Sequence, residues 1–232
     1  MSWLEPLHIT PGITAVIGSG GKSSLLCAAA AELVRHSSVV LATSTHMLPP
    51  TGMPLYVGGA SAELARLVER ERLVCAGTPD AAGKLGASPL GIDELASCAR
   101  YVLVEADGSR RLPLKAHATH EPQVPAQACQ TILVVGGSGF DGRAREVAHR
   151  PELFCPRAGI EPDACATPEA AARCVASEIA LGLIAPARVL VNQADACAPN
   201  AARRFARELH AHCPRIPILS AALNQHRIEL VP

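Results

Sequence analysis

Ile13-Thr14-Ala15-Val16-Ile17-Gly18-Ser19-Gly20-Gly21-Lys22-Ser23-Ser24 is the stretch on which the fold is read. A short run rich in β-branched residues reads as a buried strand. A glycine turn follows it directly, and Lys-Ser opens a segment of helical spacing over residues 23–35. That order forms a phosphate-binding arrangement. Backbone N–H groups and the positive helix end surround phosphate oxygens, Lys22 reaches the outer phosphates, and the Ser23 hydroxyl can ligate magnesium. The long pattern G-x-x-x-x-G-K-[ST] fails by one residue, because Val16 stands where its first glycine belongs. The compact pattern G-[ST]-x-G-K-[ST]-[ST] fits Gly18, Ser19, Gly20, Gly21, Lys22, Ser23 and Ser24. The plainer alternative is a tight turn.

Outward from this loop, apolar β-branched runs alternate with alanine-rich helical ones. Strands are expected at 13–17, 39–42, 73–76, 101–104, 131–135, 189–191 and 216–219. Helices are expected at 23–35, 62–72, 92–98, 168–183 and 201–212, with Thr167 as N-cap and Pro168 at the first position of the fourth. Such alternation predicts an α/β fold: a three-layer, P-loop NTPase-like, mostly parallel sheet with helices on both faces. The 232 residues suit one domain, 1–232. The Pro-, Gly- and His-rich part at about 105–160 reads as long functional loops.

Composition narrows the function classes. Lys plus Arg and Asp plus Glu both number 21, so nothing draws the chain generally to nucleic acid or an anionic membrane. Residues 1–11 carry no basic-then-apolar leader, and no run nears the roughly 18 apolar residues of a membrane helix. The nine cysteines are scattered with no C-x-x-C, as expected of reduced thiols in a cytoplasmic protein.

Two further strand ends carry chemistry. Glu105-Ala106-Asp107-Gly108 follows the 101–104 run, at the sheet edge where ligands sit in open α/β folds. A carboxylate there can hold magnesium beside Ser23, with Glu105 ahead of Asp107. Lys22, Glu105 and Asp107 are thus the candidate catalytic residues, and Ser23 and Glu105 the metal ligands. Asn192-Gln193-Ala194-Asp195 and Ser220-Ala221-Ala222, each placed after a strand, are similar to the pair with which GTPases read guanine. An aspartate accepts from the ring N–H and amine that adenine does not offer. Asn192 and Asp195 are therefore the base-side candidates, with ATP or GTP both open. Between these motifs lie Arg110, Arg111, Lys115, His117, His120 and Glu121, then His149-Arg150-Pro151-Glu152. Such groups can stabilise charge on a transferred phosphoryl or move a proton, or be a solvated loop. The spacing does not support zinc. Gly136-Gly137-Ser138-Gly139 reads as a second phosphate-approach loop or a strand exit, and Asp141 as an extra ligand.

Taken together, Ile17 to Ser24, Glu105-Ala106-Asp107-Gly108-Ser109, Leu112-Pro113-Leu114-Lys115-Ala116 and His120-Glu121-Pro122 stand in an order that resembles the YqeC family. His149-Arg150-Pro151-Glu152-Leu153-Phe154, Asn192-Gln193-Ala194-Asp195 and Gly83-Lys84-Leu85-Gly86 extend the likeness over nearly the whole chain. The departures are Gln193 for the usual lysine, and Thr43-Ser44-Thr45-His46 where the family tends to a threonine run ending in lysine. The resemblance implies an accessory protein for selenium-dependent molybdenum hydroxylases that helps mature their cofactor. The expected ligands are magnesium and a nucleoside triphosphate, and the expected partner is a molybdenum hydroxylase or its cofactor-maturation machinery. Two other readings remain beside hydrolysis coupled to maturation: a small-molecule kinase or ligase, and a nucleotide-binding scaffold without turnover.

Overall fold

The β-branched runs become strands and the alanine-rich stretches helices in a computed structural model that describes residues 2–232. In chain order the first half holds α1 (Leu4–Leu7), β1 (Gly12–Gly18), α2 (Lys22–Leu33), β2 (Val39–Thr43), β3 (Leu55–Tyr56) and α3 (Ser61–Glu71). Next come β4 (Leu73–Ala76), β5 (Thr78–Pro79), β6 (Leu85–Gly86), α4 (Ile92–Cys98), β7 (Tyr101–Glu105), β8 (Leu114–Lys115) and β9 (Gln130–Gly136). The remainder is α5 (Ala144–Val147), β10 (Ala148–His149), α6 (Pro151–Ala158), α7 (Pro168–Ala180), β11 (Arg188–Asn192), α8 (Ala201–His212), β12 (Ile218–Ala222) and β13 (Arg227–Leu230).

The main sheet has nine strands in the order β13-β12-β11-β9-β1-β7-β2-β4-β3. Its pairings are parallel except at the β12–β13 edge. Side-chain alternation along each strand then feeds two faces. Val16, Leu41, Leu103, Val134 and Leu190 pack on Leu25, Leu26 and Ala29 of α2. On the other face, Ile17, Val135 and Val191 meet Phe154, Ala171 and Phe205 from α6, α7 and α8. Val40, Val102 and Val104 meet Leu64, Val68 and Leu95 from α3 and α4. Helices therefore cover both faces of a mostly parallel sheet, as expected. Among the described residues no helix is long and apolar enough to cross a membrane.

Three differences from the sequence reading have local causes. The helix expected to run to residue 183 stops at Ala180. Gly182 turns left-handed (φ +68°), so its N–H and that of Leu183 fold back on Ile179 and Glu178 carbonyls. Its start is as expected, with Thr167 Oγ1 accepting from Ala170 N–H. The last parallel strand begins only after Pro217 and extends to Ala222, because β13 pairs with it through Ala222–Arg227. Ser220 to Ala222 thus lie within the strand and not after it. The stretch at about 105–160 is not all loop, since it also contains the short strands β8 and β10 and the helices α5 and α6. Helix α6 carries Pro151 at its first position and Pro156 inside. Propensity argues against it, and burial of Phe154, Cys155 and Ala158 overrides that.

β1 ends in a turn that only glycine fits. Gly18 has φ +93°, and a β-carbon there would lie 2.2 Å from the Val134 carbonyl oxygen. Gly18→Ala is expected to lower unfolding free energy by about 3 kcal/mol, from backbone strain plus a forced shift of β9. Gly83 also has positive φ, +74°, but open space around it, so Gly83→Ala should cost only about 1 kcal/mol. Urea titration of both variants checks the contrast.

Candidate functional site

The ends of β1, β7, β9 and β11 deliver Gly18, Glu105, Gly136 and Asn192 to one edge of the sheet. From β1 the loop turns through three glycines with positive φ, Gly18, Gly20 and Gly21, and α2 starts at Lys22. The first backbone bond that closes α2 runs from Leu25 N–H to the Gly21 carbonyl at 3.0 Å, and Gly21 has no side chain to cap the turn. The N–H groups ahead of Leu25 are left for another acceptor. Neighbouring strands hold this loop by close contact. A β-carbon on Gly20 would fall 2.2 Å from Gly136 Cα, and one on Gly21 2.4 Å from Asn192 Nδ2. Asn192 Nδ2 donates to the Gly20 carbonyl (2.8 Å), and Ser19 Oγ donates to the Pro113 carbonyl (2.7 Å).

Two carboxylates two residues apart take different positions. Glu105, the last residue of β7, lines a cleft of about 560 Å³ together with Gly20 to Ser24. Its Oε2 accepts from Ser23 Oγ at 2.6 Å, and Lys22 Nζ stands 3.7 Å from Oε1. Burial raises its pKa, against the lowering pull of Lys22 and of the Ser23 hydrogen bond. A hydroxyl beside a buried carboxylate that shares its one lysine with Asp107 is a hard-oxygen donor pair that suits magnesium. Among the described residues no cluster of three His, Cys, Asp or Glu side chains could hold a metal. The pair would therefore need phosphate and water oxygens to complete a shell, as magnesium commonly does.

Asp107 instead lies fully buried beneath the loop and does not line the cleft. Its Oδ2 accepts from Gly18 N–H (2.8 Å) and His117 Nε2 (2.8 Å), and Lys115 Nζ is 3.0 Å away. Oδ1 accepts no hydrogen bond from the described residues, but the Lys22 ammonium nitrogen stands 3.1 Å from it as an ion pair. Burial alone would raise this carboxyl's pKa. The His117 hydrogen bond and the Lys22 and Lys115 charges outweigh that and hold it well below the usual range. The chain of contacts continues inward. His117 Nδ1 meets Glu178 Oε2 at 2.7 Å, and Arg157 donates to Glu178 Oε1 at 2.6 Å. Burial disfavours a charged His117, yet the two flanking carboxylates overcome it and raise its pKa. Lys115 also pairs with Glu121 (2.9 Å), which Arg150 grips with both terminal nitrogens. Those partners lower the Glu121 pKa to about 2 despite burial.

Lys115 and His117 are therefore an internal scaffold and not part of a solvated loop. His120 and Asp141 are exposed and line no part of the cleft. Gly136 packs on the phosphate loop as a strand exit, and Ser138 Oγ donates to Gln193 Oε1 (2.7 Å). A second cleft of about 480 Å³ lies on the β11 side, lined by Asn192, Asp195, Leu223 and Asn224. It shares Gly21, Ser24 and Gln193 with the first. Asn192 Oδ1 is buried without a partner among the described residues, while Asp195 Oδ2 accepts from Asn224. Glu178 escaped the sequence reading. Its signal was an acid three residues after Val175 and four after Cys174, on the buried face of α7.

Comparison with known sequences gives two matches. A sequence model described as YqeC protein matches residues 14–152, which include the loop, Glu105, Asp107, His117 and His149. The chain is also 37% identical over 163 residues to the Escherichia coli (strain K12) protein called "Uncharacterized protein YqeC". That alignment covers 66% of this chain and 63% of the relative, so it spans less than two thirds of the relative's length.

The buried relay has a measurable signature. The folded pKa of His117 lies above its ordinary 6.5. Its charged form thus contributes stability fully below that value and loses it as pH rises through the folded pKa. His117 faces Asp107 and Glu178, with Lys115 and Arg157 on the far sides of those carboxylates. His117→Leu removes one charged hydrogen-bond partner from each acid, while Asp107 keeps Lys22 and Lys115 and Glu178 keeps Arg157, and should cost about 3 kcal/mol at pH 6. The deficit relative to wild type should shrink as the pH is raised past the folded pKa, which denaturant titration across pH reads directly.

Proposed function

This chain belongs to the YqeC family, and from that premise we propose that it binds a magnesium–nucleoside triphosphate at Gly18 to Ser24. The observation that carries the reading is the meeting of Lys22, Ser23 and Glu105 at a glycine loop whose helix start is uncapped. Loop N–H groups and Lys22 hold the phosphates, and Ser23 and Glu105 seat the magnesium, whose charge offsets that of the phosphates. Asp107 is a positioning residue that fixes Gly18 N–H and Lys22 from below. The two clefts joined at Gly21, Ser24 and Gln193 suit a nucleotide whose base lies beside Asn192 and Asp195. Asp195 favours guanine, and adenine remains the alternative base.

Hydrolysis coupled to maturation of a molybdenum hydroxylase or its cofactor is the family-level part of this proposal, and it rests on the resemblance. A reducing, cytoplasmic setting fits nine unpaired cysteines. Product analysis with a partner enzyme tests the role. Free phosphate without a modified small molecule supports it, a phosphorylated or ligated product points to a kinase or ligase, and no turnover leaves a scaffold.

Binding itself is tested by calorimetry. Ser23→Ala should weaken triphosphate binding roughly tenfold in magnesium, and little in its absence, with stability changed by about 1 kcal/mol. Lys22→Ala should abolish binding and also cost about 3 kcal/mol, since it leaves Glu105 and Asp107 without their shared cation. Asp195→Asn should weaken GTP more than ATP. Unchanged triphosphate affinity in the Lys22 variant would show that the loop is only a turn.

A further inference from the structure

The larger cleft continues past the phosphate loop, and we propose that this extension is a second subsite that binds an organic phosphate beside the nucleotide. The inference rests on the reading that a triphosphate occupies Gly18 to Ser24. The base-side cleft sits at the β11 and β12 end of the sheet, and the loop sits at β1. A nucleotide laid across both directs its terminal phosphate towards β7 and β2. Beyond that point the cleft is still lined, by Thr45, His46, Met47 and Leu48 after β2, and by Lys84 in the β5–β6 turn. A base, ribose and three phosphates do not need this part.

Its chemistry fits an anion with an apolar body. Lys84, Arg110 and Arg111 line the cleft, are exposed, and among the described residues have no carboxylate within ion-pair distance. The carboxylates that share the cleft are already engaged, Glu105 by Ser23 and Lys22, and Glu121 by Lys115 and Arg150. Burial, Arg150 and Lys115 lower the pKa of the neighbouring His149, as a positive field does. Three uncompensated cations around one cavity attract phosphate, and guanidinium groups match its oxygens in pairs.

A separate observation marks the same wall. Thr45 Oγ1 is buried without a hydrogen-bond partner among the described residues, although the neighbouring Thr43 Oγ1 both donates to the Glu105 carbonyl and accepts from Thr45 N–H. Thr45 itself lines the cleft, so a turn of its side chain would bring the orphaned hydroxyl to a ligand oxygen. Leu48 beside it is 47% exposed and supplies apolar surface. The wall is held in place by reciprocal backbone bonds between Met47 and Leu85, at 2.9 and 2.8 Å.

The test is calorimetric titration of phenyl phosphate into protein saturated with magnesium and a non-hydrolysable triphosphate. One phenyl phosphate should bind per chain, and Lys84→Ser and Thr45→Val should each weaken it roughly tenfold while triphosphate affinity changes less than about twofold. Thr45→Val should also raise Tm without ligand, because it removes an unsatisfied hydroxyl and keeps the shape. No binding to the loaded protein would overturn the subsite. So would an equal loss of triphosphate affinity in Lys84→Ser, which would assign these cations to the nucleotide's own phosphates. If the triphosphate itself fails to bind, phenyl phosphate is titrated into the Lys22→Ala protein. Binding there that still depends on Lys84 retains the subsite although the nucleotide reading has failed, and no binding removes it.

Discussion

Asp107 is a carboxylate shut away from solvent, and the geometry of the phosphate loop hangs on it. One oxygen accepts the Gly18 N–H and the His117 ring nitrogen, and Lys22 and Lys115 approach within 3.1 and 3.0 Å. Burying so many charges seldom adds net stability, because desolvation takes back most of the Coulombic gain. Apolar side chains would fill the same volume at less cost. What the charged cluster contributes is position: it fixes where β1 turns and where the Lys22 ammonium stands.

That constraint propagates along two routes. Through His117, Glu178 and Arg157 it ties the loop to α7 and α6, on the opposite face of the sheet from α2. Through Lys115, Glu121 and Arg150 it ties the segment after β7 to the start of α6. The loop is thus braced from below by ion pairs and from the side by Gly136 and Asn192. Glu105, only two residues from Asp107, has a single cation and a serine hydroxyl instead of four donors. Its pKa therefore moves in the opposite direction. The two acids have separate tasks: one anchors, the other faces the cleft.

Much of this was legible along the chain, and the reason is local. The glycine turn, the Lys-Ser helix start and the strand ending at Glu105 each depend on neighbours within a few residues, so composition and spacing reveal them. Helix α6 was not legible, since Pro156 in its interior contradicts propensity and burial of Phe154, Cys155 and Ala158 overrides that. Ser220 to Ala222 were placed beyond their strand because the antiparallel partner that extends it, β13, is a short edge strand. Lys115 and His117 looked like members of a polar loop because their partners Asp107, Glu121 and Glu178 include one more than sixty residues distant.

The glycine-rich stretch from Ile13 to Ser24 determined by itself that a strand, a phosphate-sized turn and a helix follow one another, because dihedral freedom, β-branching and helix periodicity act over short range. The sequence also determined an α/β sheet through its alternating apolar runs. Only the tertiary structure decided which carboxylate sits beneath the loop and which beside it, and where unpaired cations gather beyond it. Those outcomes depend on strand order: β7 and β9 flank β1, and the burial and charge at each strand end are set by residues far away in sequence.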